Sequence, residues 1–212
     1  LCWPTPNRNY NGVVIFTWGY NSLSSISSGL DISTFFHKHM GYFSQLISPE
    51  EADAFAQKSF SQTTTVICSH YHFGDSVLLV GDAAHAVSPI IGQGCSASLE
   101  DGLVFNQLLD EYDDNLTQAV PKYTQRRHPD MIALEQMSDS LIPLHGYLAS
   151  LMLLKHIVDR TLHRWFPKLW ASSSVDMIAE STIPYRHILQ SHSRWFKMIN
   201  ALNQLILWKG KH

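Results

Sequence analysis

The chain has 212 residues, 45% of them hydrophobic, and a formal net charge of −3. This composition is typical of a globular protein with one large domain or two small ones, and it excludes a strongly basic nucleic-acid binder. Cys2, Cys68 and Cys95 have neither the spacing of metal ligands nor that of a disulfide framework, so we expect an intracellular, reducing compartment and no metal. No segment has the roughly 20 apolar residues of a membrane-spanning helix, and none is typical of a signal peptide.

The first 75 residues predict short strands and helices. Residues 1–20 indicate two strands around a turn rich in Pro, Asn and Gly, with the β-branched and aromatic run at 13–18 as the second strand. Ser48-Pro49-Glu50-Glu51 is a typical helix start. The other predicted elements of this region are a serine-rich loop over 21–33, helices over 31–46 and 49–57, and a strand over 63–73.

The most informative segment follows an apolar run at 77–80, which predicts a buried strand that ends at Gly81. Asp82 comes next, where its carboxylate can accept hydrogen bonds from sugar-type hydroxyls. Gly92 and Gly94 lack a Cβ, so the backbone there can approach a flat ring closely.

A helix is predicted directly after this loop, over 95–109. The N–H groups of Gly94, Cys95 and Ser96 lie at its start, without partners in the helix and at the positive end of its dipole, where an anion is stabilised. This order of a strand, an acidic residue, a glycine loop and a helix start suits a polyhydroxylated cofactor whose ring becomes negatively charged. A flavin is such a cofactor, because its ring gains negative charge on reduction.

The same segment resembles a known flavin-binding motif. The residues that carry the likeness are Gly81-Asp82-Ala83-Ala84-His85, then Pro89, Gly92-Gln93-Gly94 and Glu100-Asp101, continued downstream by Tyr123, Arg126-Arg127 and Pro129-Asp130. They resemble the second flavin motif of the FAD-dependent aromatic-ring hydroxylases, the class A flavoprotein monooxygenases.

The resemblance implies FAD as the cofactor. The residues that would contact its ribityl chain and ring are Asp82, Pro89, Gly92, Gln93, Gly94, Cys95 and Ser96. Ser96 departs from the motif, which usually has Asn here; a serine can cap a helix N-terminus, but it cannot supply both the donor and the acceptor of an amide. We expect His85 to pack behind the loop, and Glu100 and Asp101 to make structural hydrogen bonds at least as readily as cofactor contacts.

For the fold, the resemblance implies an α/β protein, or α+β as a fragment, that forms the C-terminal half of a para-hydroxybenzoate-hydroxylase-like FAD-binding fold. Its expected parts are a partial substrate-covering sheet with helices at 1–75, the second FAD-binding motif at 76–110 and a helical C-terminal region at 111–212. The adenine half of FAD needs a glycine-rich loop that follows a strand, and the sequence offers none. We therefore expect the chain to be part of a longer enzyme whose N-terminal half is its partner.

For the activity, the resemblance implies that NADPH reduces the flavin and that dioxygen supplies one oxygen atom to a small aromatic substrate. Tyr185 falls where one branch of the family has a tyrosine that contacts the substrate carboxylate. No catalytic side chain is expected, because the cofactor carries the chemistry. The localisation implied is intracellular, with the mitochondrial outer membrane as one candidate, although no membrane anchor is expected within this chain.

Two alternatives of function remain open: an epoxidase or prenyl-chain reductase of the same fold, and a non-catalytic truncated remnant that acts as an interaction module. A third interpretation is rejected. Residues 92–97 also fit the G-x-G-x-x-A dinucleotide fingerprint, but that fingerprint opens directly after a strand, whereas ten residues separate Gly81 from Gly92 here.

The last hundred residues are mostly helical by pattern. A helix is predicted over 116–140 with a break near Pro129. Two apolar stripes at helical spacing then predict two helix faces that contact the core. The first stripe is Tyr147, Leu151, Leu154, Val158, Leu162 and Trp165, and the second is Ile188, His192, Trp195, Ile199, Leu202 and Ile206.

Overall fold

The computed structural model describes residues 2–7, 10–12, 28–58, 63–141 and 146–209. The chain forms two compact units, residues 1–62 and residues 63–212. The expected three-part division at 1–75, 76–110 and 111–212 stays a prediction. In the part of the chain that the structure describes, no helix is long and apolar enough to cross a membrane.

The first unit begins with a hairpin of two antiparallel strands, β1 (Cys2–Pro4) and β2 (Tyr10–Gly12), in which Trp3 lies opposite Asn11. This confirms two strands around a turn, although the second strand begins earlier than predicted. The apolar run at 13–18 and most of the serine-rich loop, 21–27, lie outside the described residues.

Three helices follow in this unit: α1 (Gly29–His39), α2 (Gly41–Ser44) and α3 (Pro49–Ala56). Both α1 and α3 begin with a capping box. The Ser28 and Ser48 hydroxyls accept from the third helical N–H, and the backbone N–H of each serine donates to the carboxylate of that third residue, Asp31 or Glu51. The helices pack through Ile32 and Ala52, each 1% exposed. Both predicted helices are confirmed, with a break at Met40 in the first.

The strands of the second unit are shorter than predicted. β3 (His72–Phe73) and β4 (Val77–Leu78) form an antiparallel pair, and residues 63–71 make only isolated backbone contacts, such as Cys68 N–H to the Ala84 carbonyl at 3.0 Å. The prediction of a long strand over 63–73 is therefore wrong. The buried strand over 77–80 is wrong too, because Val77 and Val80 are 48% and 47% exposed and no further described strand pairs with β4 to cover them.

Helices make up most of the second unit. They are α4 (Asp82–His85), a 3-10 turn (Pro89–Ile91), α5 (Gly94–Glu111), α6 (Leu116–Ser140), α7 (Gly146–Trp165), α8 (Ser174–Glu180), α9 (Tyr185–Ser191) and α10 (Ser193–Lys209). Helix α6 lies at the centre and packs against α5, α9 and α10. The core around it includes Leu108, Tyr123, Met131, Leu134, Ile188 and Phe196.

Helix α6 runs through Pro129 without a break, which corrects the prediction. A proline inside a helix removes one hydrogen bond and crowds the preceding turn. Here Arg127 and Asp130, on either side of the proline, are both buried and engaged in ion pairs. These contacts hold the residues next to Pro129 within the continuous helix.

The two apolar stripes have different outcomes. The second one contacts the core as predicted, since Ile188 and Ile199 are fully buried, but it is divided between α9 and α10, which are separated at His192. The first is wrong as a core face, since Leu154 is 58% and Trp165 72% exposed within the described part of the chain, while α7 buries Leu148 and Asp159 instead. Periodicity identified the apolar face of α7, but the described residues do not cover it.

The fold is thus mostly helical, with four short strands in the described ranges. The helical C-terminal region is as predicted, and no larger sheet supports the α/β class within these residues.

Candidate functional site

The candidate site is the segment 81–96, which we call the flavin loop. It begins at Gly81, whose φ of 60° lies in the left-handed region that favours glycine. A Cβ on Gly81 would also lie 3.2 Å from Ser98 Oγ, so the Ser98 side chain would have to move by a few tenths of an ångström. The strand ends at Leu78 rather than at Gly81, so Asp82 opens the one-turn helix α4 instead of ending a strand.

Asp82 points away from the core. It is exposed, and its carboxylate has no hydrogen-bond partner among the described residues. An aspartate at the first position of a helical turn with free acceptor oxygens can receive hydroxyl donors from a ligand.

The middle of the flavin loop is a 3-10 turn that begins at Pro89, which is exposed, and ends at Gly92 with φ 67°. The space that a Cβ of Gly92 would occupy is open to at least 4 Å from other described atoms, whereas a Cβ on Gly94 would only touch Val87 at 3.8 Å. Since α4 and this turn lie between β4 and the glycines, the rejection of the dinucleotide fingerprint agrees with the chain path.

The flavin loop ends at the first turn of α5. Gln93 stands at the cap position, and its side chain makes no capping hydrogen bond. The N–H of Ala97 bonds the Gln93 carbonyl at 2.8 Å, which leaves the N–H groups of Gly94, Cys95 and Ser96 without an acceptor inside the helix. Ser96 therefore lies inside the first turn and does not cap it, contrary to the capping role considered for it.

These features fit a flavin. Cys95 and Ser96 are exposed, so their N–H donors are accessible to a ligand at the positive end of a helix of 18 residues. Free carboxylate oxygens on Asp82 and open space at Gly92 complete a set of one acceptor, several backbone donors and a flat backbone surface. Such a set can hold the hydroxylated chain and the electron-poor ring of FAD.

A buried ion network lies behind the flavin loop. Asp101 on α5 is fully buried, and one of its oxygens, Oδ2, accepts from the Gly81 N–H and from His85 Nε2, both at 2.7 Å. Its other oxygen accepts from Arg127 Nε at 2.7 Å. Arg127, 1% exposed, also donates to the Ala97 carbonyl at 2.8 Å and pairs with Glu100 at 2.8 Å.

The network sets the charges of its members. Burial alone would raise the pKa of Asp101, but hydrogen bonds from His85, from the Gly81 N–H and from Arg127 together hold it below its usual value. Burial also acts against the charge of Arg127, yet Glu100 and Asp101 raise its pKa, so the guanidinium stays protonated. His85 Nε2 contacts the Asp101 carboxylate, and the buried Nδ1 of His85 has no hydrogen-bond partner among the described residues.

Tyr185 joins the site from α9. Its hydroxyl lies 3.3 Å from Gln93 Oε1, and its ring lies 5.9 Å from the Arg127 guanidinium carbon. Burial raises the pKa of Tyr185 to about 12, so the phenol is a neutral donor at physiological pH. The structure thus places Tyr185, the predicted substrate contact, beside Gln93, a predicted cofactor contact.

The sequence predicted that His85 packs behind the loop and left Glu100 and Asp101 open between structural hydrogen bonds and cofactor contacts; in the structure all three take part in the network. The sequence assigned no role to Arg127. No local sequence pattern singles out Arg127, because the burial of Asp101, which calls for a buried partner, is seen only in the structure.

A comparison with known protein families matches the part of the chain that contains the flavin loop. Residues 44–138 match a family model described as an FAD binding domain, which spans the whole flavin loop and the ion network. The match suggests the para-hydroxybenzoate-hydroxylase-like flavoprotein fold, while the described residues themselves show helices and only short strands.

Curated relatives cover nearly the full chain. Kynurenine 3-monooxygenases are 27% identical in Phaeosphaeria nodorum, over 94% of this chain, and 28% identical in Sus scrofa, over 97%. Kynurenine 3-monooxygenase 3 of Aspergillus niger is 30% identical over 87% of the chain. The chain spans 42%, 43% and 40% of the lengths of these three relatives. With the motif, the match to the FAD binding domain over residues 44–138 and these relatives together, the chain is similar to the C-terminal part of the kynurenine 3-monooxygenases.

Proposed function

We propose that the protein carrying this chain is an FAD-dependent, NADPH-using monooxygenase that hydroxylates a small aromatic substrate similar to kynurenine. The observation that carries the proposal is the flavin loop, where an uncapped helix start, a free aspartate and open space at a glycine occur within one family-matched segment. When bound, FAD would supply the transfer of electrons from NADPH and the activation of dioxygen.

The chain's own residues would bind and orient the cofactor. Asp82 would accept hydrogen bonds from the ribityl hydroxyls. The N–H groups of Gly94, Cys95 and Ser96 would stabilise the negative charge that the ring acquires on reduction, because they lie at the positive end of α5. Pro89, Gly92 and Gln93 would line the ring.

Tyr185 would face the substrate. Its hydroxyl already lies at Gln93, so a substrate that stacks near the ring would lie within reach of the phenol. Because the pKa of Tyr185 is raised to about 12, the hydroxyl can donate to a substrate carboxylate without repelling it.

The test uses the protein expressed from its complete reading frame. FAD is titrated by flavin fluorescence, and NADPH oxidation is then followed with and without kynurenine, with product analysis by mass spectrometry. We expect tight FAD binding and a product heavier by one oxygen atom. An epoxide or a reduced prenyl chain as product would favour the alternative chemistry, and the lack of FAD binding would favour an interaction module.

A further inference from the structure

We propose that Asp101 and Arg127 are positioning residues that hold the flavin loop in its cofactor-binding shape. The inference rests on the proposed function of that loop. Neither side chain would contact FAD, since both are buried behind the loop, with Asp101 fully buried and Arg127 1% exposed.

Asp101 fixes the segment that carries Asp82. A single oxygen, Oδ2, accepts from the Gly81 N–H and from His85 Nε2 at 2.7 Å each. These two donors flank Asp82, one before α4 and one at its last residue. The direction in which Asp82 points is thereby determined by one buried carboxylate.

Arg127 fixes the carboxylate relative to the start of α5. Its Nε donates to Asp101 Oδ1 at 2.7 Å and its Nη2 to the Ala97 carbonyl at 2.8 Å. Ala97 directly follows the three residues with free N–H groups. The planar guanidinium therefore sets the distance between the donors of α5 and the loop segment at Gly81, a geometry that the single ammonium of lysine does not reproduce.

A second route links the same arginine to the loop. The Tyr185 ring lies against the Arg127 guanidinium, with 5.9 Å between the ring centroid and Cζ, and the Tyr185 hydroxyl reaches Gln93. Arg127 is thus connected to both ends of the flavin loop, to Gly81 through Asp101 and to Gln93 through Tyr185.

Stability alone is a weak reason for such a network. Burying charged groups costs several kcal/mol in desolvation, on the order of what their attraction returns, and apolar residues often serve a core equally well. A buried arginine whose three nitrogens all bond within 2.8 Å does, however, define one arrangement of the surrounding backbone. The network therefore fixes the arrangement of the backbone around the flavin loop.

The test compares Arg127→Met and Arg127→Lys with two controls in the protein from its complete reading frame. Arg126→Ala removes the neighbouring arginine, whose partner is the surface residue Glu111 at 2.6 Å. Ile199→Ala destabilises the core from α10 without a hydrogen bond to the loop. For each variant the FAD dissociation constant, the visible spectrum of bound flavin and the melting temperature of the FAD-free protein are measured.

We expect Arg127→Met to weaken FAD binding on the order of 10- to 100-fold, as loss of an outer-shell partner does at metal sites, and to alter the flavin spectrum. Arg127→Lys should recover part of the affinity. Arg126→Ala should bind FAD as the wild type does, and Ile199→Ala should lower the melting temperature while keeping the wild-type spectrum and affinity.

If Arg127→Met does not fold, the FAD affinity and flavin spectrum of Arg127→Lys are compared with those of the wild type instead. The positioning role would be overturned if the Arg127 variants had the FAD affinity and flavin spectrum of the wild type. It would also be overturned if they lost no more FAD affinity than Ile199→Ala does at an equal melting temperature. Either result would leave the proposed function standing. Absence of FAD binding by the wild type would overturn the proposed function itself.

Discussion

The Tyr185 hydroxyl lies 3.3 Å from Gln93 Oε1, although 92 positions separate the two residues in sequence. This contact connects α9 to the flavin loop and brings the proposed substrate contact next to the proposed cofactor contact. Replacement of Tyr185 by Phe removes the hydroxyl and keeps the ring against Arg127.

We expect Tyr185→Phe to raise the KM for the aromatic substrate about 3- to 10-fold, the equivalent of one neutral hydrogen bond of about 1 kcal/mol, with FAD affinity nearly unchanged. Steady-state kinetics and FAD titration measure the two effects. Tyr147→Phe, on an exposed tyrosine of α7, is the matched control and should change neither. A larger loss of FAD affinity than of substrate affinity would place Tyr185 in the cofactor site only.

Asp82→Ala should weaken FAD binding by about 1.5–3 kcal/mol, because it removes a charged acceptor from the ribityl hydroxyls. Asp82 is exposed and has no partner among the described residues, so the melting temperature of the FAD-free protein should stay the same. Flavin fluorescence gives the affinity. Asp82→Asn keeps one acceptor oxygen and should lose less; equal affinity of all three proteins would remove Asp82 from the site.

Gly94 tests the close approach of backbone and ring. A Cβ there makes only an ordinary contact with Val87 at 3.8 Å, so Gly94→Ala should leave the fold intact. We expect stepwise loss of flavin reduction by NADPH from Gly94→Ala to Gly94→Val, and a smaller effect for Ser96→Ala, which removes one exposed hydroxyl. Stopped-flow absorbance measures the reduction rate. A greater loss for Ser96→Ala than for Gly94→Val would contradict the backbone-contact argument.

The lowered pKa of Asp101 predicts that the folded protein loses stability at acid pH. Because the carboxylate is favoured in the folded state, its contribution is present above the unfolded value of about 3.9 and is lost as pH falls through the lower folded value. Asp101→Asn should cost about 3–5 kcal/mol at pH 7, since it leaves Arg127 without its partner, and the loss should shrink below pH 4.

Urea unfolding between pH 3 and pH 7 measures this difference. Asp110→Asn, an exposed carboxylate on the same helix, is the control and should show no such convergence. A constant difference between wild type and Asp101→Asn over this pH range would mean that folding does not lower the pKa of Asp101.

Helix starts were predictable because their signals are local. Ser48 and Glu51 form the capping box that the sequence indicates, and α5 begins within one residue of its predicted start. Strands were not predictable to the same degree. The apolar run at 77–80 has the composition of a strand, but a strand also needs partners, and the described residues supply only His72–Phe73.

The flavin loop could be recognised from sequence, whereas the network behind it could not. A local rule predicts that Pro129 ends α6, but the helix continues, and Arg127 and Asp130 on either side of the proline each take part in an ion pair. Arg127 and Asp101 are 26 positions apart, and only the packing of α5 on α6 brings them together. The apolar face of α7 is a similar case. The periodicity of the sequence predicts which residues share that face, but it does not predict which other part of the protein covers them.

Amide hydrogen exchange with and without FAD tests the central claim most directly. The N–H groups of Gly94, Cys95 and Ser96 have no acceptor within α5 and should exchange fast in the FAD-free protein. We predict that exchange slows strongly in peptides that cover 92–97 on FAD addition, while the first turn of α6 at Leu116 and Thr117, which also lacks a side-chain cap, stays fast. FAD binding that protects other peptides and leaves 92–97 unchanged would contradict this prediction.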